Sequence, residues 1–423
     1  MTPEVRDRIE QIRRGNVPEG YMKTEIGIYP DNWTVCHLNK LLDFKNGINA
    51  DKERFGQGTK LISVRDILSD HPIMYEAIHG SVEVDEKQLE EFGVKYGDIL
   101  FQRSSENYED AGTSNVYLDP HNTAVFSGFV IRGKKIAEYN PVYLNALLRT
   151  TYVRKAIIRK AAGAQHINIG QESLARVSIA LASDIEQKKI AEILTTQNKV
   201  IELKEKLLAE KQRQKKYLMQ QLLTGKKRLA GFDGEWKQEK LGKLFAERSE
   251  TKCEHLELLA ITGTQGVIPR SQLDLKDNSS EDKSKYLHIC VGDIGYNTMR
   301  MWQGVSAYSN YEGIVSPAYT ILKSKGNINV KYFAYLFKMP EVVFLFYRYS
   351  QGLVDDTRNL KYENFRRINV TYPENIEEQN AIVSILENAD RESDLLRQDI
   401  EQEKKKKKTL MQLLLTGIVR VKA

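Results

Sequence analysis

Residues 186–225 open with Glu186-Gln187, carry Ile190, Ile193 and Leu194, and close with Leu218-Met219-Gln220-Gln221-Leu222-Leu223-Thr224-Gly225. Residues 378–417 open with Glu378-Gln379, carry Ile382, Ile385 and Leu386, and close with Leu410-Met411-Gln412-Leu413-Leu414-Leu415-Thr416-Gly417. The offset is 192 at both ends (410 − 218 and 417 − 225), no gap is needed, and 15 of the 40 positions are identical. Chance would leave about two or three, so the chain contains a true internal duplication.

In the first copy apolar residues fall at Ile190, Leu194, Ile201, Leu208, Leu218 and Leu222, with polar gaps at Gln197, Lys204, Lys211 and Lys215. The second copy gives Ile382, Leu386, Ala389, Leu396, Ile400, Leu410 and Leu414. Steps alternating near four and three residues, with neither Pro nor Gly before the terminal Gly225 and Gly417, predict two long amphipathic helices able to pack as a coiled coil. At 1.5 Å per residue each is roughly 60 Å long, the length of a spacer rather than of an ordinary domain helix. Their aliphatic ends, Leu218–Leu223 and Leu410–Leu415, are richer than a two-helix seam requires. They are expected to serve a bundle with Thr2–Arg14 or the docking of a partner.

The duplication extends upstream of the helices. Trp33 is followed by Leu38 and Leu41, and Trp236 by Leu241 and Leu244 at the same intervals. Gly97-Asp98-Ile99 recurs as Gly292-Asp293-Ile294, the helix start at Asn140 as that at Asn329, and Gly163 as Gly352. The matches are collinear, which predicts an α+β chain: two similar mixed domains in tandem, each followed by a long helix. Between the shared points the copies differ freely. After Gly-Asp-Ile the first has Leu100-Phe101-Gln102-Arg103-Ser104-Ser105, the second Gly295-Tyr296-Asn297-Thr298-Met299-Arg300-Met301-Trp302. One scaffold with two sets of polar loop residues suggests two recognition surfaces reading different things.

Composition bounds the function. The 423 residues suffice for two to four domains, and no apolar run approaches a membrane span, so a cytoplasmic protein without membrane contact is expected. Cys36, Cys253 and Cys290 are scattered singly, which excludes a zinc ribbon and a disulfide framework and leaves no metal site assigned. A net charge of +6 is compatible with nucleic acid without being an argument for it.

The order variable domain, long helix, variable domain, long helix resembles the DNA-specificity subunit of type I restriction–modification systems. The resemblance rests on the Glu-Gln helix starts, the Leu-Met-Gln-x-Leu-Leu-Thr-Gly helix ends and the Gly-Asp-Ile of each domain. Lys23–Trp33 (KTEIGIYPDNW) and Gly231–Trp236 (GFDGEW) ahead of the two domains add to it. It covers essentially the whole chain and implies an internal pseudo-twofold repeat whose helices form an antiparallel coiled coil. The segments would be an N-terminal helical stretch (1–20), target recognition domain 1 (21–184), a central helix (185–228), target recognition domain 2 (229–375) and a C-terminal helix (376–423). In that family each recognition domain reads half of a split duplex DNA target, and the coiled coil sets the spacer and docks two modification subunits that methylate adenine N6. The S-adenosylmethionine, ATP and Mg belong to partner subunits, including the restriction/translocase subunits, and none to this chain. Rival readings are the specificity subunit of a combined restriction–methylation enzyme and a coiled-coil adaptor that does not touch DNA.

The residues themselves agree that the chain is not an enzyme. A base-flipping adenine methyltransferase needs Asn/Asp-Pro-Pro-aromatic, whereas Asn140-Pro141-Val142-Tyr143 lacks the second Pro and Asn329-Val330-Lys331-Tyr332 lacks both. These strings read better as capped helix starts. No Gly-rich cofactor loop or phosphate loop is present. Glu235-Trp236-Lys237 imitates a nuclease motif, but its repeat partner Asn32-Trp33-Thr34 has no charges, so a buried Trp is the expected shared feature.

Base edges and phosphates call for Arg, Lys, Asn, Gln, Ser and Thr on projecting loops. The first domain offers Gln102, Arg103, Ser104, Ser105 and Asn107, then Gln165, His166 and Asn168, then Lys60 and Arg65. The second offers Asn297, Thr298, Arg300 and Trp302, then Thr357, Arg358 and Asn359, then Thr262, Thr264 and Arg270. A loop Ser or Thr is more often a turn former, and the runs Lys211–Lys216 and Lys404–Lys408 read first as solvated helix faces. A basic rod could also follow spacer phosphates.

Overall fold

The structure, a computed structural model, describes residues 2–163, 165–263, 265–273, 280 and 282–421. The chain forms two compact units, the first made of residues 1–204 with 399–423 and the second of residues 205–398.

In the first unit the strand Ile99–Gln102 is buried along its whole length and lies between Val130–Lys135 and Ser114–Val116, with Leu42–Asn46 beyond Val130–Lys135. Every pairing is antiparallel, with Val130 opposite Gln102 and Ile99 opposite Val116. In the second unit Ile294–Asn297 lies between Tyr319–Ser324 and Ser306–Tyr308, with Phe245–Arg248 beyond, again antiparallel throughout. A second ribbon also repeats: Thr34–His37 pairs with Ser178–Leu181, and Trp236–Lys240 with Asn369–Pro373. The helices Pro141–Leu148 and Val330–Leu336 start where expected, with the Asn140 and Asn329 side chains accepting from the first free backbone N–H groups.

The shared Gly-Asp is a turn that feeds the central strand. Gly97 and Gly292 take φ of +92° and +95°, where a side chain is disfavoured. Asp98 then accepts from the backbone N–H of Lys95 and Lys135, and Asp293 from that of Cys290 and from Arg248 Nε. The repeated motif is therefore scaffold. The units diverge beside it: the first adds the sheet Val125–Phe126, Phe55–Ile62 and Gly80–Val82, and the second the hairpin Leu259–Thr262 with Gly266–Pro269.

Two helices of 39 and 40 residues, Asp184–Leu222 and Ile376–Leu415, carry the duplicated stretch. Within the first unit Gln197 and Lys204 meet Glu403, and Lys204 also meets Asp399. Within the second, Lys211 meets Glu392 and Lys215 meets Asp390. In each unit rising numbers on one helix pair with falling numbers on the other, so the coiled coil is antiparallel. Three lysines from the polar gaps are thus ion-paired across the seam.

The Glu-Gln start ties each helix to its unit. Gln187 Oε1 accepts from Asn140 N–H at 2.9 Å while its Nε2 donates to Ala182 O; Gln379 does the same with Asn329 (2.8 Å) and Pro373. Glu186 binds Arg420, three residues past Gly417, and Glu378 binds Arg228, three residues past Gly225. Leu414 and Leu415 are buried with Trp33, Ile190 and Leu194, and Leu222 and Leu223 with Leu241, Ile382 and Leu386. This corrects one expectation. These four leucines complete the cores of their own units, so they are not free for a bundle or a partner. The helix Pro3–Arg13 buries no residue and reaches the tail by Arg8 Nη1 donating to Ile418 O. A second correction concerns the tryptophans, of which Trp33 is buried but Trp236 only half-buried. No helix among the described residues is long and apolar enough to cross a membrane.

Candidate nucleic-acid interface

Past the central strand of the first unit the chain runs through Arg103 into Ser104–Ser105, which pairs with Ile167–Asn168. Three backbone links fix this frame: Arg103 N–H donates to Phe129 O, Ile169 N–H donates to Arg103 O, and Ala162 bridges Asn168. The second unit has the same three. Thr298 N–H donates to Ala318 O, Leu360 N–H donates to Thr298 O, and Gln351 bridges Asn359. Gly163 and Gly352 (φ +142° and +133°) permit the return, since a Cβ on them would lie 2.0 Å from His166 O and 2.7 Å from Thr357 O. Loops chosen separately from the sequence, 102–107 with 165–168 and 297–302 with 357–359, are thus brought together in pairs by one repeated frame.

On this frame the first unit carries a shallow groove lined by Gln102, Ser104, Ser105, Glu106, Asn107, Asp110, Phe129 and His166. Gln102 is buried; its Nε2 donates to Ser104 O at 2.9 Å and its Oε1 has no partner among the described residues. Ser105 accepts from Asn107 N–H, and Asn107 closes a turn with Asp110, so both act as turn formers. Gln165, His166 and Asn168 are exposed, with Ser104 Oγ donating to Asn168 Oδ1. Arg103 is half-buried, donates from Nη1 to Gly128 O at 3.3 Å, and lines a neighbouring groove with Asn46, Asn168 and Gln171. Lys60 and Arg65 do not join either groove. Lys60 Nζ donates to Ile78 O from the strand Phe55–Ile62, and Arg65 is exposed on the short helix Val64–Ile67.

The second unit presents different chemistry. Asn297 accepts from Met299 N–H, Thr298 Oγ1 donates to Ala318 O and Thr357 Oγ1 to Val354 O, so these three shape the loops. Arg300 is exposed. The Arg358 guanidinium carbon lies over the Tyr347 ring, 4.1 Å from its centroid, with Nη2 donating to Tyr347 Oη and Nε to Asp355. Trp302 sits edge-on to the same Tyr347 ring at 6.2 Å and donates from Nε1 to Met299 O. Asn359 Nδ2 donates to Thr357 O, and its Oδ1 is buried without a partner among the described residues, like that of Gln102. Thr262 is a hairpin turn former, donating to Gly266 O and accepting from Gln265 N–H. Arg270 is half-buried at the far end of that hairpin, and Thr264 lies outside the described residues.

Several site residues escaped the sequence reading. Arg154 Nη2 donates to Glu109 O and Ala111 O and so fixes the loop beside the first groove. Lys338 Nζ donates to Gly304 O and Ser306 O behind Trp302, and burial pulls its ammonium down to about 8. Tyr347 is the platform for Arg358, and Leu353, five residues before Arg358, is fully exposed. A helical reading of Val342–Tyr349 could have found Tyr347, since Phe344 and Tyr347 share the exposed face opposite buried Phe346.

The same duplication is visible in comparisons with known proteins. The chain is 25% identical over 445 residues to a Methanocaldococcus jannaschii protein named as the type I restriction enzyme MjaX specificity subunit, covering 96% of this chain and 97% of that one. It is 26% identical over 216 residues to the MjaVIII specificity subunit of the same organism, half of each chain. Among solved structures it shares its fold with the S subunit of a type I system from M. genitalium (TM-score 0.51, 15% identity, 93% of this chain and 97% of that one). It also shares it with a chain from a study of type I R-M complex assembly (TM-score 0.58, 13% identity, 92% and 99%). Residues 30–213 and 234–405 each match the type I restriction modification DNA specificity domain, and the chain therefore belongs to that family as a specificity subunit carrying the domain twice.

Proposed function

We propose that the two loop frames read the two halves of a bipartite duplex DNA target. In this reading the antiparallel helices set the unread gap and dock two adenine-N6 methyltransferase subunits. The observation that carries it is the repeated frame itself: three identical backbone links in each unit support non-equivalent side chains, Arg103 and His166 in one and Arg300, Trp302 and Arg358 in the other. A scaffold kept constant under changing polar tips is what reading two different short sequences requires. The chain contributes recognition and no chemistry. S-adenosylmethionine, ATP and Mg would be bound by partner subunits, with restriction/translocase subunits joining the same complex in the cytoplasm.

The test is half-site specificity in the reconstituted complex. Arg103→Ala should relax methylation at one half of the target, and Arg300→Ala at the other. Each lost bidentate guanine contact costs about 1–3 kcal/mol, roughly 5- to 150-fold in rate at limiting substrate. An equal loss on every duplex, specific or random, would assign Arg103 to phosphate. Absence of any salt-dependent duplex binding would leave the adaptor reading instead.

A further inference from the structure

Away from the loop frames, the second unit gathers a nitrogen, a sulfur and a carboxylate at one edge. The strand Leu287–Ile289 pairs antiparallel with Gly313–Val315, Ile289 opposite Gly313, so the next pair outward is Cys290 with Glu312. His288 and Cys290 are two apart and share a face of the strand. The distances follow: His288 Nε2 is 3.6 Å from Cys290 Sγ and 2.9 Å from Glu312 Oε1, and the three donor atoms lie within 4.8 Å of one another. We propose that His288, Cys290 and Glu312 bind a zinc-type divalent transition cation, with the fourth position open to water.

Three observations support the set. A tetrahedral zinc with bonds of about 2.3 Å to sulfur and 2.0–2.1 Å to nitrogen needs a sulfur–nitrogen edge of about 3.5 Å, which the Cys290–His288 pair already has. The nitrogen–oxygen edge is shorter than the required ~3.3 Å, and the exposed Glu312 side chain can open by that margin. Glu250 Oε2 lies 3.0 Å from His288 Nδ1, the carboxylate–imidazole contact that orients a metal-ligating histidine and leaves Nε2 to face the cation. The third observation is the repeat. In the first unit Val94 bridges Ala124 as Ile289 faces Gly313, but the flanking residues are Gly93, Lys95 and Thr123, so the scaffold forms without this set.

The charges are compatible. Arg248 is the cation beside the cluster, and it is paired with Asp293 at 2.7 Å and Glu250 at 3.0 Å. Burial holds the Cys290 thiol above its usual range, with Arg248 pulling it back. Binding forms the sulfur–metal bond and releases the thiol proton to water, among the charges of Arg248, Glu250, Asp293 and Glu312.

The experiment is a cobalt(II) titration of the full, chelator-treated chain, read by the thiolate-to-cobalt charge-transfer band and reversed with zinc. One equivalent should give the band, Cys290→Ser should abolish it, and Cys36→Ser and Cys253→Ser should leave it. Glu312→Gln, at the surface and with unchanged circular dichroism, should weaken binding by about tenfold or more. No band, a band that survives Cys290→Ser, or full affinity in Glu312→Gln would overturn the site. His288 would then be an imidazole clamped between two carboxylates.

Discussion

Arg420 Nε lies 2.9 Å from Glu186 Oε1 and its Nη2 3.1 Å from Oε2, joining residues 234 positions apart in the sequence. Trp33 Nε1 donates to the same Oε2 at 2.9 Å, so a nearly buried carboxylate has its partners from both ends of the chain. The second unit repeats the pair with Arg228 and Glu378, at 2.6 and 2.8 Å. Arg420→Ala should destabilise the first unit by about 1–3 kcal/mol, because it strands a buried charge. Arg228→Ala should do the same to the second, read as the melting of each variant in the full chain. Equal melting of Arg420→Ala and wild type would show the pair to be incidental.

Gly163→Ala and Gly352→Ala test the repeated frame. A methyl at either position meets backbone oxygen, so the return strand must shift. Each substitution should impair recognition of one half-site while leaving the fold and the other half-site intact, as measured by methylation of duplexes altered in one half. Loss at both halves together would mean the frames are not independent readers.

Arg358 distinguishes stacking from charge. Arg358→Lys keeps the positive charge but loses the planar contact with Tyr347 and the hydrogen bond to its hydroxyl. We expect Arg358→Lys to fall close to Arg358→Ala in half-site discrimination. If lysine restores wild-type behaviour, the guanidinium acts as a point charge.

The helix seam should be acid-sensitive in the first unit. Gln197 and Lys204 hold the Glu403 carboxyl down to about 2. A carboxyl depressed on folding contributes fully above its unfolded value of about 4.3 and loses that contribution as pH falls toward 2. Thermal unfolding should therefore steepen its pH dependence below about 4, and Glu403→Gln should flatten that part of the curve.

If the helices set the spacer as proposed, their length should govern it. Four residues inserted in both helices at matched positions add roughly 6 Å and should lengthen the unread spacer by one or two base pairs. An insertion in one helix alone should break the seam and weaken the protein. Sequencing methylated sites decides it: an unchanged spacer would assign the measurement to the domains.

The long helices, the tandem repeat and the capped starts at Asn140 and Asn329 were legible because each is a local pattern: periodicity, self-similarity, or a cap with its first turn. The pairing of loop 102–107 with 165–168 was half legible. The residues stood out as polar insertions between shared points, but a hydrogen bond such as Ile169 to Arg103 leaves no trace in spacing. The direction a side chain takes was not legible. Gln102, Thr262 and Thr298 are polar loop-region residues by type, and each also bonds to nearby backbone, a contact that the residue type does not reveal. Lys338 was invisible because a half-buried lysine bonded to backbone has the same letter as an exposed one. The leucines before Gly225 and Gly417 were read as surplus because the cores they enter come from distant sequence.

The split composition of the first unit has a consequence for biosynthesis. Residues 205–398 of the second unit are contiguous, so all of its parts have been synthesised before residue 399 is added. The first unit, although most of it is translated earliest, waits for Leu414, Leu415 and Arg420 before its core and its Glu186 pair can close. The half made first should therefore mature last, spending most of synthesis with Trp33 and Ile190 uncovered on one side. A chain truncated just before Leu414 would hold every residue of the later half and lack part of the earlier half's core.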